Sequence, residues 1–344
     1  MIASLIAQEA TATAAPGYQR PGDWLGVTDM SATEGFCGLH AVFDNDSNFC
    51  AFTCAGAYTV DWGDGSAAEA FASGATAYHN FAWADCSAST LTSRGYRQAL
   101  VTVTPQSGQS LTSINLNQKH NQSGLVSGYT THWLDIDLNG PNLTSLTISN
   151  GGGLVVRQLL LEAANLRDIG SVTHLGYMFY SCPVFQKLEI GDTSSVTSLL
   201  KTFNITYALS VIPSMDLSSC TSIQSAFEVG GLHYLPSDIT FGNVNFTAAF
   251  RYNYTLQEIP EWDLSGVTTF NQAFTNCVSL ARFRATGVSK SISFANCSLS
   301  AAALNEIYGN LATVTGQTIT VTGNYGTSGD DPTIATAKGW TVTG

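Results

Sequence analysis

Three carboxylates crowd one short stretch of the chain: Glu258, Glu261 and Asp263, around Pro260 and beside Trp262. Glycoside hydrolysis needs two carboxyl groups about 5–9.5 Å apart, one to protonate the leaving oxygen and one to act as base or nucleophile. The same residues also fit a solvated turn flanking a proline, and that reading assigns them no chemistry. The six histidines, His40, His79, His120, His132, His174 and His233, are scattered, with no H-x3-H or H-E-x2-H spacing. No G-x-S-x-G elbow and no P-loop occurs. The chain therefore reads as a non-enzyme, with a glycan depolymerase as the rival.

A second acidic set is periodic. Asp168, Asp192, Asp216 and Asp263 each stand eleven residues before a phenylalanine, in RDIGSVT, GDTSSVT, MDLSSCT and WDLSGVT. A side chain of this kind accepts backbone N–H groups in an Asx turn. A stacked carboxylate column is also a Ca²⁺ ligand set, but no second acidic column accompanies this one. Asp61 and Asp64 belong to YTVDWGDG, where a strand ends in the turn Gly63-Asp64-Gly65. Cys50 and Cys54 have C-x3-C spacing without a paired second ligand set. No cofactor or metal is expected. For the eight cysteines, free buried thiols, disulfides and metal ligation all stay open.

Binding chemistry is better represented. Tyr207, Tyr234, Arg251, Tyr252, Tyr254 and Trp262 fall near repeat turns. Tyrosine and tryptophan offer an apolar face and one polar group, which suits sugar rings and protein hot spots. Arg251, Tyr252 and Tyr254 form the preferred cluster. The competing reading is that such rings pack over neighbouring repeats.

The elements that must position these residues are set by a repeat. Phe179, Phe203, Phe227, Phe250, Phe274 and Phe294 recur at steps of 24, 24, 23, 24 and 20 residues. Leu175, Leu199, Ile223, Phe246 and Phe270 precede the first five by four residues, and Phe185, Leu209, Leu256 and Leu280 follow by six. A period in this range predicts a stacked solenoid in which each unit closes its core against its neighbours. Leu111-Thr-Ser-Ile and Leu143-Thr-Ser-Leu share a strand pattern and are expected to open the same solenoid. Gly151-Gly152-Gly153 suggests a bulge or inserted loop. Ser300 caps a predicted amphipathic helix over Ala301–Leu311, which closes the far end.

Of 344 residues only 11% are charged, and the net charge is −12. That balance argues against nucleic acid, whose phosphates need a basic patch. No apolar run approaches the ~18 residues of a membrane-spanning helix, so no membrane insertion is expected. The first residues lack a basic n-region and read poorly as a signal peptide. No coiled-coil heptads enforce a homo-oligomer, and that question stays open.

Trp62-Gly63-Asp64-Gly65, followed by Tyr78-His79-Asn80-Phe81, resembles the PKD family of immunoglobulin-like β-sandwiches. The run from Val172-Thr173 to Leu188, and again from Val267-Thr268 to Phe283, resembles BspA-type leucine-rich repeats. The expected fold is mainly β: an N-terminal arm (1–24), a PKD-like β-sandwich (25–108), a leucine-rich-repeat solenoid (109–299) and a helix-containing cap (300–344). The combination resembles virion proteins of tailed bacteriophages. That resemblance implies a fibre, spike or head-neck appendage, located on the virion. It also implies partners: other virion proteins through the N-terminal region, and a host surface glycan or protein through the solenoid. A bacterial cell-surface adhesin and a capsid decoration or cement protein are the alternatives.

Overall fold

The computed structural model describes residues 17–126, 128–150 and 156–344. The expected break at Gly151-Gly152-Gly153 lies outside them. The fold is mainly β, with a β-solenoid of about eight turns and a short C-terminal helix.

Short strands open the chain: β1 (Gly35–Val42), β2 (Phe49–Ala55), β3 (Tyr58–Asp61), β4 (Glu69–Phe71), β5 (Thr76–Asn80) and β6 (Arg97–Pro105). They are followed by β7 (Ser113–Asn115), β8 (Tyr129–Thr130), β9 (Trp133–Asn139), β10 (Ser145–Thr147), β11 (Val156–Arg157), β12 (Ala163–Asp168) and β13 (Lys187–Ile190). One sheet has the order β13-β12-β9-β1-β6-β3-β4 and a second the order β10-β7-β2-β5. The sheets meet across Phe36 on β1 and Phe52 on β2, whose ring centroids are 5.4 Å apart, with Trp62 and Trp133 packed on Phe52. After β3 the chain turns through Gly63 at φ 71°; a Cβ there would lie 2.3 Å from the Leu100 carbonyl oxygen, so only glycine fits.

The first sheet changes character at β9. It is antiparallel to β1 on one side and parallel to β12 on the other. The second sheet does the same at β7, antiparallel to β2 and parallel to β10. The hydrogen-bonded ladder thus passes without a break from the N-terminal hairpins into the coils. The L-T-S strands pair residue for residue, Ser113 with Ser145. One hydrophobic cluster extends from Phe36 to Trp340.

Residues 1–24 are expected as an N-terminal arm or anchor, of which residues 17–24 are described. Residues 17–24 are fastened to the outer face of the first sheet, as part of a strap that continues through Met30. Trp24 is buried among Leu39, Ala41, Tyr96 and Leu134, and its indole N–H donates to the Tyr96 hydroxyl at 2.8 Å. Arg20 Nε donates to Asp135 at 2.7 Å, Gln98 Nε2 donates to the Asp23 carbonyl at 2.9 Å, and Asp29 pairs with Arg167 at 3.2 Å. Burying one indole offsets part of the ordering entropy of this segment, and the hydrogen bonds and ion pairs of Arg20, Asp23 and Asp29 add to it.

In the solenoid the periodic phenylalanines form one continuous stack. Successive centroids from Phe179 to Phe294 lie 5.6, 5.4, 5.1, 5.5 and 5.7 Å apart, with planes within 13° of parallel. Two residues either side of the rings the backbone enters the left-handed region. Tyr177, Lys201, Ser225, Ala248 and Gln272 form one such column, and Ser181, Ile205, Val229, Tyr252, Asn276 and Asn296 the other. None is glycine, and at every position but Asn276 and Asn296 the local preference opposes the conformation. What enforces it is hydrogen bonding between coils. In the first coil the N–H groups of Leu175, Tyr177, Phe179 and Ser181 donate to the carbonyls of Ser198, Leu200, Thr202 and Asn204, and the next three coils repeat the pattern. At another corner Thr197, Thr221 and Thr268 hydroxyls donate to carbonyls of the preceding coil, at 3.0–3.1 Å.

All eight cysteines are buried and unpaired. Cys277 and Cys297 thiols donate to the Phe250 and Phe274 carbonyls of the preceding coil, at 3.0 and 3.2 Å. Burial pushes the Cys297 thiol up to about 12, far from a reactive thiolate. At the far end the helix α1 (Ala301–Asn310) starts at Ser300, whose hydroxyl accepts from the Ala303 N–H, and buries Ala303, Leu304, Ile307 and Tyr308.

One core feature stands apart. His40 on β1 is fully buried against Phe81 and Trp133, and its ring centroid is 5.5 Å from that of His132. Neither ring nitrogen of His40, nor Nδ1 of His132, meets a partner at hydrogen-bond geometry. Burial drives the His40 imidazole well below its ordinary value and takes His132 down to about 4.

Candidate functional site

The parallel-strand face of the solenoid carries three depressions in line. The first, about 390 Å³, lies where the strap meets β9, β12 and β13, between Tyr18, Arg20, Asp135, Asn165 and Lys187. The second, about 360 Å³, shares Tyr18, Lys187 and Glu189 and adds Val211, Ile212 and Pro213 of the next coil. The third, about 430 Å³, spans the three coils that follow, between Tyr234, Leu235, Glu258, Pro260, Arg282 and Arg284. Together they make a shallow trough along the coil axis. It exists because strand residues alternate in and out: Leu188, Ile212 and Ile259 fill the core while Lys187, Val211 and Glu258 face outward.

The middle of the trough is apolar, with Val211 at 49% exposure beside Pro213 and Leu235. Charge marks its two ends. Lys187 pairs with Glu189 at 2.8 Å on one side. On the other, Arg284 holds Glu258 at 2.5 Å and Glu261 at 2.9 Å, and Arg282 reaches Glu306 at 3.3 Å. Arg284 thus sits between the two glutamates that the hydrolase reading would use, and both serve as ion-pair partners. Asp263 accepts from the Ser265 N–H at 2.9 Å, and that bond holds its carboxyl below the usual range.

The sequence-derived binding residues divide. Tyr234 lies on the trough wall, half-buried. Tyr207 and Tyr254 are exposed, but on the turn edge rather than in the trough. Trp262 corrects an expectation: it is 2% exposed, and its indole N–H donates to the Pro236 carbonyl at 2.9 Å, so its ring belongs to the core with Phe241 and Phe250. Arg251 is engaged internally. Its guanidinium bonds the buried Glu228 carboxylate, with Nε at 2.7 Å, and reaches Gln272 at 2.5 Å. Glu228 also accepts from Asn204 at 3.1 Å, so the cluster from Asn204 to Gln272 ties four coils together. The Arg251 guanidinium also lies 5.4 Å from the Tyr252 ring centroid. Substituting Arg251 by alanine strands Glu228 in the interior and is expected to cost about 2 kcal/mol, discounted for the partial exposure of the arginine. Urea denaturation of the variant measures it, and Glu228→Gln with Arg251→Ala should recover part of the loss.

The aspartates act within their own turns. Asp61, Asp64, Asp168, Asp192, Asp216 and Asp263 each accept from the N–H two residues on, at 2.7–3.0 Å. Bonds from Ser194 and Ser218 hold the Asp192 and Asp216 carboxyls below their ordinary range. Burial raises Asp64, but bonds from Ser66 and from His79 at 2.7 Å outweigh it and leave its value lowered. Among the described residues no group of three or more His, Cys, Asp or Glu is arranged to hold a metal ion.

Sequence reasoning missed the first two depressions. Tyr18, Lys187, Glu189 and Val211 carry no motif, and the strap that brings Tyr18 there depends on one buried tryptophan. The position eight residues after each stacked phenylalanine varies in type, as Lys187, Val211, Leu235, Glu258 and Arg282, so only the alternation along Lys187-Leu188-Glu189 could have pointed to the face.

The chain matches no curated protein and no solved structure. Residues 159–232 and 242–306 match the family model described as "Mycoplasma protein of unknown function, DUF285". Those segments contain the phenylalanine stack, and with the coils seen here they make this a repeat-type protein.

Proposed function

We propose that the protein is a non-catalytic recognition protein whose solenoid receives an extended partner along the strand-face trough. The observation that carries this reading is the alignment of three depressions on one hydrogen-bonded face, apolar in the middle and charged at both ends. An apolar floor supplies binding energy and the flanking ion pairs supply register. Repeat scaffolds are stiff, so little ordering cost falls on the protein side.

The particle-borne setting belongs to the same proposal and rests on the WGDG run and the repeats together. In that setting the N-terminal sheets anchor the chain to other virion proteins and the trough faces the host surface. Antibody labelling of purified particles tests the location: a solenoid epitope absent from intact particles would remove the virion reading.

The trough is tested by the double variant Val211→Asp, Leu235→Asp. Labelled protein is expected to bind host cells at least tenfold less well after the change, since two charges replace the apolar floor. Unchanged binding, with an unchanged melting temperature, would show that recognition lies elsewhere.

A further inference from the structure

Eight large apolar or aromatic side chains are exposed among the described residues, and three of them share one repeat position. Tyr207, Tyr254 and Val278 each stand four residues after a stacked phenylalanine, at 58%, 51% and 46% exposure. Between the two tyrosines the same position is Gly231. A Cβ there would lie 1.9 Å from the Tyr207 carbonyl oxygen, so close approach of the coils forbids a side chain. The column therefore reads aromatic, gap, aromatic.

The size of the gap follows from the coil spacing. The phenylalanines of these three coils step by 5.4 and 5.1 Å. Tyr207 and Tyr254 thus occupy rungs about two strand spacings, or ~10 Å, apart. Ring faces in contact on both sides of a guest need about 7–8 Å, two van der Waals separations. One six-membered ring fits between the rungs, and rotation of the two exposed tyrosine side chains takes up the remaining ~2 Å. The column that carries the gap is uncharged, and Arg251, which lies 5.4 Å from the Tyr252 ring beside Tyr254, is paired with Glu228. From three to five residues after each stacked phenylalanine, the positions Cys182 to Val184, Thr206 to Ala208, Gly230 to Leu232, Asn253 to Thr255 and Cys277 to Ser279 hold no Lys, Arg, Asp or Glu. Hydroxyls and amides supply the polarity there, as in Thr255, whose hydroxyl donates to the Leu232 carbonyl at 2.8 Å.

We propose that Tyr207 and Tyr254 grip one pyranose ring of a neutral glycan laid along the coil axis. The C–H faces of the sugar stack on the two tyrosines while its hydroxyls stay at the rim, where water and the neighbouring Ser, Thr and Asn groups satisfy them. An anionic sugar gains little there, because the nearby Arg251 is already paired with Glu228. The site is separate from the trough and stands whether or not the trough receives a partner.

The test uses the full chain and three neutral hexasaccharides: β-1,4-linked glucose, α-1,4-linked glucose and β-1,4-linked N-acetylglucosamine. Calorimetry with saturation-transfer NMR is expected to show binding of at least one, with contacts to tyrosine ring protons. Tyr207→Ala and Tyr254→Ala should each weaken it roughly tenfold, the worth of one aromatic stacking contact. The phenylalanine variants at the same positions should bind like the parent, because the ring and not the hydroxyl does the holding. Both side chains are exposed, so melting temperatures should not move. The Val211→Asp, Leu235→Asp variant should keep its sugar affinity. No binding by any of the three sugars, or binding that survives the double Tyr207→Ala, Tyr254→Ala change, overturns the assignment. So does binding of a proline-rich peptide alone at the same tyrosines.

Discussion

Replacing Phe227 by alanine is expected to destabilise the protein by about 3–5 kcal/mol. Phe227 is buried at the centre of the stack, 5.4 Å from Phe203 and 5.1 Å from Phe250. Removing its ring leaves a cavity bounded by two rings that cannot close on each other, because cross-coil hydrogen bonds fix the coil spacing. The cost therefore falls in the upper part of the range for aromatic truncations. A solenoid is held by nearest-neighbour interfaces, so the damage is local in space but divides the stack in two. Urea denaturation should show a lower midpoint and a broadened transition as the two halves uncouple. Phe227→Leu, which keeps most of the volume, should cost less than half as much. A loss below about 1.5 kcal/mol for the alanine variant would mean that the stack does not carry the core.

Acid should weaken the protein well before its carboxylates titrate. His40 and His132 are held neutral by burial in the native state, while both return to about 6.5 when the chain unfolds. Above pH 6.5 neither state is charged at these sites and their contribution is constant. As pH falls below 6.5 the unfolded chain takes up two protons that the native protein refuses until about pH 4, the region where His132 itself titrates. Stability falls over that window by up to about 2.7 kcal/mol per pH unit, or about 4 kcal/mol between pH 7.5 and pH 5. The groups facing His40 do not soften this. His132 is a like charge when protonated, and His79, the other histidine acting on it, is already engaged with Asp64. His40→Leu should halve the pH dependence and stabilise the protein at pH 5, since it removes two ring nitrogens that have no partner. The measurement is the urea midpoint at both pH values. Parallel slopes for the parent and the variant would remove His40 from the account.

Much of the repeat was legible in the residues. The phenylalanine spacing located the stack, and the aspartates at fixed offset marked turns. Ser300 ahead of Ala-Ala-Ala-Leu marked a helix start. Each of these signals is local or strictly periodic. What stayed hidden is held by contacts far apart in sequence. The left-handed columns fall mostly on residues such as tyrosine, lysine, isoleucine, valine and alanine, which carry no turn preference, and only two of the eleven are asparagine. Only the neighbouring coil makes that conformation pay. The join between the N-terminal sheets and the coils depends on β1 having β6 on one edge and β9 on the other, and no residue of Gly35–Val42 announces a second partner. Trp262 illustrates the limit for the binding residues. A tryptophan between Glu261 and Asp263 looks exposed in one dimension, yet the alternation that puts both acids outside turns its ring inward. Tyr207 and Tyr254 were visible as aromatics near turns, but the vacancy between them at Gly231 appears only when coils are set side by side.

The forward-pointing hydrogen bonds along the phenylalanine edge give the stack a direction. Four N–H groups of each coil, from Leu175 through Tyr252, reach toward the carbonyls of the coil that follows, and the last of the series, Phe294 and Asn296, are received by Thr320 and Thr322. At the opposite end Ser149 donates its N–H to Met178 and its hydroxyl to Tyr180, covering the carbonyls that no earlier coil serves. Along this edge the two ends are therefore chemically unlike, one bearing donors and the other acceptors, while at the threonine corner the bonds run the opposite way. A chain cut after any coil would present bare donors along this edge while its opposite end stays covered by Ser149, so truncation leaves one unsatisfied end that favours association through the exposed coil.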